Sequence, residues 1–306
     1  MNMIQRGEPA LTGGIRDCWK RCFENEDPNY IDFFFRCIYK PEYGYADVEG
    51  SRVVAALCRV PHAIMFNERV IKASMLVGAA TLPEYRGQGR MAELLHTVLD
   101  ACSHSELLTL IQAYDPKLYE PYGFRTIYYR SDYLLKKSMI KRASATGCAY
   151  DPSAIDMLKV YSAFIRKFNG FYTRDLAYFE NLKKEIAAEG GRIAAYYDNR
   201  NQIAGYATLL TDGRQIKIEE CIYLNSTALI KLVNIALLDK ESVHLHVSAG
   251  ENVRFIFPDA EVKNYGHTMV RLNDPQLFSR LFNTKIETVE DAFAISKKPL
   301  NMNEYV

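Results

Sequence analysis

The chain has 306 residues, 48% hydrophobic and 25% charged, with 38 Lys and Arg against 37 Asp and Glu for a formal charge of +1. That length implies two domains, and so balanced a charge provides neither a basic face for nucleic acid nor a polybasic membrane anchor. The apolar runs are too short for a bilayer-spanning helix or a signal-peptide core, and seven cysteines without a CxxC pair fit a reduced, cytoplasmic protein.

Residues 15–40 read as helices. Ile15, Cys18, Trp19 and Cys22 share one helical face, and Tyr30 to Tyr39 is rich in aromatic residues. Arg52–Val60 and His62–Phe66 read as two short strands, followed by an Asn67-Glu68 turn and a buried strand from Val70 to Thr81, ended by Pro83. Met91, Leu94, Leu95, Val98, Leu99 and Cys102 then recur at helical spacing, the clearest amphipathic helix in the chain. A strand at Leu107–Ile111, a turn-rich stretch from Tyr114 to Gly123, and strands at Phe124–Tyr129 and Tyr133–Leu135 follow. The pattern breaks near Ser138 to Asp151, where a domain boundary is expected.

The second half repeats this outline. Helical faces (Ile155, Leu158, Tyr161, Ile165, Phe168, then a stretch ending at Gly190-Gly191) precede strands at Ile193–Asp198, Ile203–Leu210 and Gln215–Glu219. A helix over Thr227–Leu238 and strands near Val243–Val247 and Thr268–Leu272 complete it. The expected divisions are residues 1–138, 139–272 and a tail of 273–306, too short for a core of its own.

The chemistry concentrates in Pro83-Glu84-Tyr85-Arg86-Gly87-Gln88-Gly89-Arg90-Met91, between the buried strand and the amphipathic helix. Two glycines let backbone N–H groups converge, the helix start adds its positive dipole end, and Arg86 and Arg90 add charge-assisted donors. This suits a diphosphate. The loop lacks the GK[ST] ending of a P-loop and the G-x-G-x-x-G of a dinucleotide fold. His244 and His246 share a strand face but have no third ligand at metal spacing, so no metal is expected. The aromatic cluster of Tyr30, Phe33, Phe34, Phe35 and Tyr39 reads equally as helix core or as the lining of an acceptor pocket.

Arg86-Gly87-Gln88-Gly89 after a strand and proline resembles the R/Q-x-x-G-x-G/A signature of GNAT acetyltransferases, with Met91 departing at the last position. Thr81 to Gly87, Tyr119-Glu120-Pro121-Tyr122-Gly123-Phe124, Gly170 to Asp175, Gly205-Tyr206, Glu219-Glu220 and Met269 to Leu272 resemble the Eis-like (enhanced intracellular survival) branch of that family. The resemblance implies an α/β mixed-sheet fold of two tandem GNAT-like domains, the second degenerate, with residues 273–306 the vestige of a third. It implies acetyl-CoA as cosubstrate and transfer to a primary amine of a small molecule or a lysine. The cofactor-binding residues would be Ala79, Ala80, Thr81, Arg86, Gly87, Gln88, Gly89, Arg90 and Met91, with backbone groups of 79–81 pairing with the pantetheine arm. Tyr119 falls where that family has its general acid, Val306 would bring the C-terminal carboxylate into the first site, and Glu42, Asp47 or Asp115 could relay a proton. Family members also assemble, so a homo-oligomer is expected. A non-catalytic CoA sensor and a tRNA-dependent aminoacyl transferase are the competing functions. The second predicts a basic groove and no diphosphate loop.

Overall fold

A computed structural model describes residues 3–140, 145–213, 215–238 and 240–304. The strands are β1 (Met3–Arg6), β2 (Gly44–Glu49), β3 (Arg52–Phe66), β4 (Arg69–Thr81), β5 (Leu108–Ile111), β6 (Arg125–Lys136), β7 (Cys148–Tyr150), β8 (Phe171–Tyr172), β9 (Arg192–Tyr197), β10 (Ile203–Asp212), β11 (Gln215–Tyr223), β12 (Ser242–Ser248) and β13 (Glu261–Leu272). The main helices are α1 (Thr12–Cys22), α2 (Pro28–Phe33), α3 (Arg90–Ser103), α4 (Ala154–Phe164), α5 (Leu176–Ala188), α6 (Ser226–Ala236), α7 (Pro275–Phe282) and α8 (Val289–Ala294). The fold is a mixed α/β one, as expected.

Two compact units result. The first comprises Met1–Ile127 with Thr268–Ile295, and the second Tyr128–His267 with the segment from Ser296. The first unit thus ends before the expected boundary at 138, and most of the tail belongs to it rather than standing apart.

In the first unit the sheet order is β1-β2-β3-β4-β5, closed by the 268–272 end of β13, whose Met269 and Val270 lie opposite Ile111 and Leu110. β1 to β4 are antiparallel neighbours, and β5 returns parallel to β4 after α3. α3 lays Leu94, Leu95, Val98, Leu99 and Cys102 onto Tyr45, Leu57, Leu76, Ile111 and Phe124. β3 is one strand of 15 residues, not the expected two. Pro61 interrupts nothing because pairing with β2 ends at Cys58, so the missing N–H is not needed on that side. The turn into β4 is the expected Asn67-Glu68, both at positive φ (43° and 66°), as a two-residue hairpin demands. After β13, Phe278 and Phe282 of α7 and Phe293 of α8 close around Phe66, with ring centroids 5.2–6.0 Å away.

The second unit repeats the layout: helices α4 and α5, an antiparallel β9-β10-β11 meander, α6, then β12 parallel to β11. Strand alternation assigns the two faces. Ile193, Ala195, Tyr206 and Ile222 pack under α4 and α5, while Ala194, Ala207 and Cys221 pack under α6.

Candidate active site

The site forms where β4 leaves its neighbours. Against β3 the register slips, Ala56 facing Ala80 but Cys58 facing Val77, which leaves one extra residue on β4. This bulge centres on Gly78, at φ +65°. A Cβ there would lie 1.7 Å from the Trp19 ring, so the indole of α1 packs where a side chain would stand. Against β5 the parallel pairing runs only from Ala73–Leu108 to Leu76–Ile111. Beyond Leu76 the strands part, and Ala79, Ala80 and Thr81 have no β5 partner among the described residues. The Thr81 hydroxyl is buried there without a hydrogen bond.

β4 runs into a short turn, Pro83–Tyr85, and then the glycine loop. Gly87 and Gly89 take φ of +74° and +78°, a region costly for other residues, and the space a Cβ would enter is open at both. Gly89 is the N-cap of α3 and no side chain caps the helix. Its first-turn N–H groups are therefore open to an anion.

The neighbouring side chains divide in role. Arg86 is exposed and its Nε donates to the Thr81 carbonyl at 3.0 Å. Gln88 donates to the Glu84 carbonyl at 3.2 Å, which braces the loop. Glu84 in turn pairs with Arg52 at 2.8 Å and Arg21 at 3.2 Å. Arg90 is buried, with its guanidinium 3.2 Å from Asp47 and 3.1 Å from Glu49 of β2, beneath the Tyr85 ring. Its side chain is thus committed to those carboxylates, and what Arg90 presents to the loop is its backbone N–H. Met91 packs at the edge of the α3 core, beside Ala79 and Tyr119.

Tyr119 links two short turns, Pro116–Leu118 and Glu120–Tyr122. Its N–H donates to the Pro116 carbonyl, and its own carbonyl accepts from Tyr122 at 3.0 Å. The ring is half-buried against the α3 core, edge-on to Phe124 at 6.2 Å. Burial, helped by Tyr122, raises its pKa above 10, so the phenol stays protonated at neutral pH. Among the carboxylates, Glu42 is exposed and Asp115 caps its own turn through the Lys117 N–H at 3.1 Å. Asp47 is buried against Arg90 with one oxygen unpartnered. Val306 lies outside the described residues. Phe33, Phe34 and Tyr39 are core, with Phe34 stacked 4.7 Å from Trp19.

The second unit has the same kind of bulge, one residue extra on β11 at Glu219, and its β11–β12 pairing stops at Ile218. There the gap is filled from within. Arg130 donates to the Glu219 carbonyl at 2.7 Å and Asn303 does so at 3.1 Å, both side chains buried. α6 is closed as well, because the Asn225 side chain accepts from the Ala228 N–H. The chain itself thus occupies the second gap. His244 and His246 pair with Asp132 and Glu219, at 2.9 and 2.8 Å, and no group of three or more metal-ligating side chains occurs among the described residues.

Sequence reasoning did not find Asp47 and Glu49 as the holders of Arg90, or Trp19 as the filler over Gly78. A glycine inside a strand pattern is a bulge signal and could have located the second.

The profile of the acetyltransferase (GNAT) domain family matches residues 5–127. No curated protein matches the chain. Several solved structures share its fold. A probable N-acyltransferase from Enterococcus faecalis V583 superposes with TM-score 0.77 at 18% identity, over 91% of this chain and 74% of that one. A GCN5-related N-acetyltransferase from Anabaena variabilis ATCC 29413 gives 0.75 at 14% identity, over 90% and 73%. Eis1 from Mycobacterium abscessus gives 0.70 at 12% identity, over 92% and 75%. Residues 5–127 form a GNAT acetyltransferase domain, and the chain is an acyltransferase enzyme.

Proposed function

We propose that the protein is an acetyl-CoA-dependent N-acetyltransferase of the Eis-like, tandem-GNAT kind, transferring acetyl directly to a primary amine of a small molecule or a lysine-type acceptor. One observation carries this reading: β4 parts from β5 beyond Leu76, directly before an uncapped helix start. A long thin ligand with a diphosphate fits there, and acetyl-CoA as substrate supplies the thioester. The backbone of Ala79 to Thr81 would position its arm as a missing strand would, with the unpartnered Thr81 hydroxyl at the same place. The open N–H groups from Gly87 through Met91 and the Arg86 guanidinium would hold its diphosphate. Tyr119, kept protonated by burial, would donate its phenolic proton to the departing sulfur. The second unit, whose gap Arg130 and Asn303 fill, would bind no second coenzyme. Seven free cysteines fit a reducing cytoplasm.

Calorimetric titration with acetyl-CoA tests the site. One equivalent per chain should bind, and Arg86→Ala should weaken it about tenfold, the equivalent of roughly 1.4 kcal/mol. Unchanged affinity in that variant would remove Arg86 from the site. Thiol release on adding amines would then separate an enzyme from a CoA sensor.

A further inference from the structure

α1 ends against the glycine loop, and it ends in a cysteine. Arg21, its penultimate residue, reaches Glu84 of the Pro83–Tyr85 turn at 3.2 Å. Cys22, the last residue, is half-buried and receives a hydrogen bond from the Arg86 guanidinium. One turn earlier Cys18 is buried beside Trp19, with its thiol hydrogen-bonded to Cys22. Two thiols thus sit together beneath two guanidinium groups, one of them the side chain offered to the coenzyme's diphosphate.

We infer that Cys22 is a reactive thiol, oxidised by hydroperoxides to a disulfide with Cys18, and that this oxidation disables the Arg86 loop. Reactive thiols occur in electropositive, partly exposed surroundings, and Cys22 has both conditions. Hydrogen bonding from Cys18 and Arg86 and the charges of Arg86 and Arg21 lower it to about 7, so much of it is thiolate at neutral pH. The thiolate sulfur attacks one oxygen of hydrogen peroxide. The O–O bond breaks, hydroxide leaves and is protonated to water, and Cys22 becomes a sulfenic acid. The Cys18 sulfur then displaces hydroxide from it, and the Cys18 proton goes to that hydroxide as a second water. The pair has lost two electrons and two protons, and the peroxide has become two waters.

Cβ atoms four residues apart on a helix are about 5–6 Å apart, whereas a disulfide needs about 3.8 Å. The last turn of α1 must therefore tighten, which is feasible because Cys22 is its final residue. That movement draws Arg21 from Glu84, while loss of the thiolate removes a partner of Arg86. The effect on the coenzyme rests on the function proposed above, but the reactivity of the thiol does not.

The test uses the full-length reduced protein. In limited alkylation with iodoacetamide at pH 7, Cys22 should react about tenfold faster than Cys37 and Cys148, the other half-buried cysteines. Arg86→Ala should slow Cys22 alone. After hydrogen peroxide treatment, trypsin should release peptides 17–20 and 22–36 joined by a disulfide, and Cys18→Ala should abolish the joined pair. Equal labelling of the three cysteines, or oxidation of Cys22 without the joined pair, overturns the inference. Peroxide should also weaken CoA binding at least severalfold in wild type and leave Cys22→Ser unchanged. If the reduced protein binds no CoA, the functional proposal fails, while labelling and linkage still decide this one.

Discussion

At the scale of single residues, burial decides which groups can exchange protons near neutrality. Tyr119 is held above pH 10 by burial, so it enters any reaction as an acid. Tyr119→Phe keeps the ring against Phe124 and removes the proton. It should lower kcat by about 10²–10⁴ and leave CoA affinity within about twofold. Activity in the wild type should not lose an essential acid below about pH 10; a descending limb near pH 8 would move the role to another group. In the second unit burial acts against the fold. The Glu251 carboxyl, accepting from the Ser248 N–H and the Tyr223 hydroxyl at 3.1 Å each, is pushed from 4.5 up to about 7. The folded protein then keeps a proton that the unfolded chain releases above pH 4.5. This contribution is complete below pH 4.5 and is lost as pH rises through 7, a change of roughly 2–3 kcal/mol. Glu251→Gln keeps both partners and cannot ionise, so its thermal midpoint should fall less than that of wild type between pH 5 and 8. Parallel profiles would show that Glu251 does not carry the slope.

At the scale of elements, the bulge at Gly78 lets β4 leave β5, and α1 sets its shape through Trp19. Gly78→Ala adds a Cβ 1.7 Å from the indole at φ +65°, so overpacking and backbone strain add. A loss of about 2–4 kcal/mol in denaturant unfolding is expected, together with weaker CoA binding. Gly13→Ala in α1, where a Cβ meets nothing, serves as the control and should be neutral or stabilising by about 1 kcal/mol. Elements built on local signals were legible in the sequence. α3 shows its apolar face at helical spacing, the Asn67-Glu68 turn shows its residue types, and the loop shows its glycines, which all take positive φ. Features that depend on distant partners were not. Arg90 reads as a free cation, yet its carboxylates lie 43 and 41 residues upstream, where nothing local marks them. Pro61 reads as a strand end because the sequence does not reveal where β2 stops pairing.

At the scale of the molecule, sequence order and compact structure diverge in the first unit. Its sheet is closed by residues 268–272, against a β5 whose four residues are all buried, and its Phe66 is covered by α7 and α8. A reading that follows the chain ends the catalytic domain near residue 138 and leaves 273–306 as a remnant. The packing makes that tail part of the first core, because Phe278, Val289, Ala292 and Phe293 are all buried. Arg271 repeats the point on the polar side, donating to the Tyr122 carbonyl at 3.0 Å, three residues from Tyr119. A fragment of residues 1–138 would expose the β5 edge and the Phe66 surface, both prone to association. It should be insoluble, or unfold without a cooperative transition, where the full chain melts cooperatively. Deleting 275–295 from the full chain would expose the same aromatic surface while keeping the strand at 268–272, and should lower stability with the Tyr119 turn still braced by Arg271. If residues 1–138 alone melt cooperatively and bind acetyl-CoA as tightly as the full chain, the returning strand and helices are accessories. If they do not, the acetyltransferase unit includes both ends of the chain.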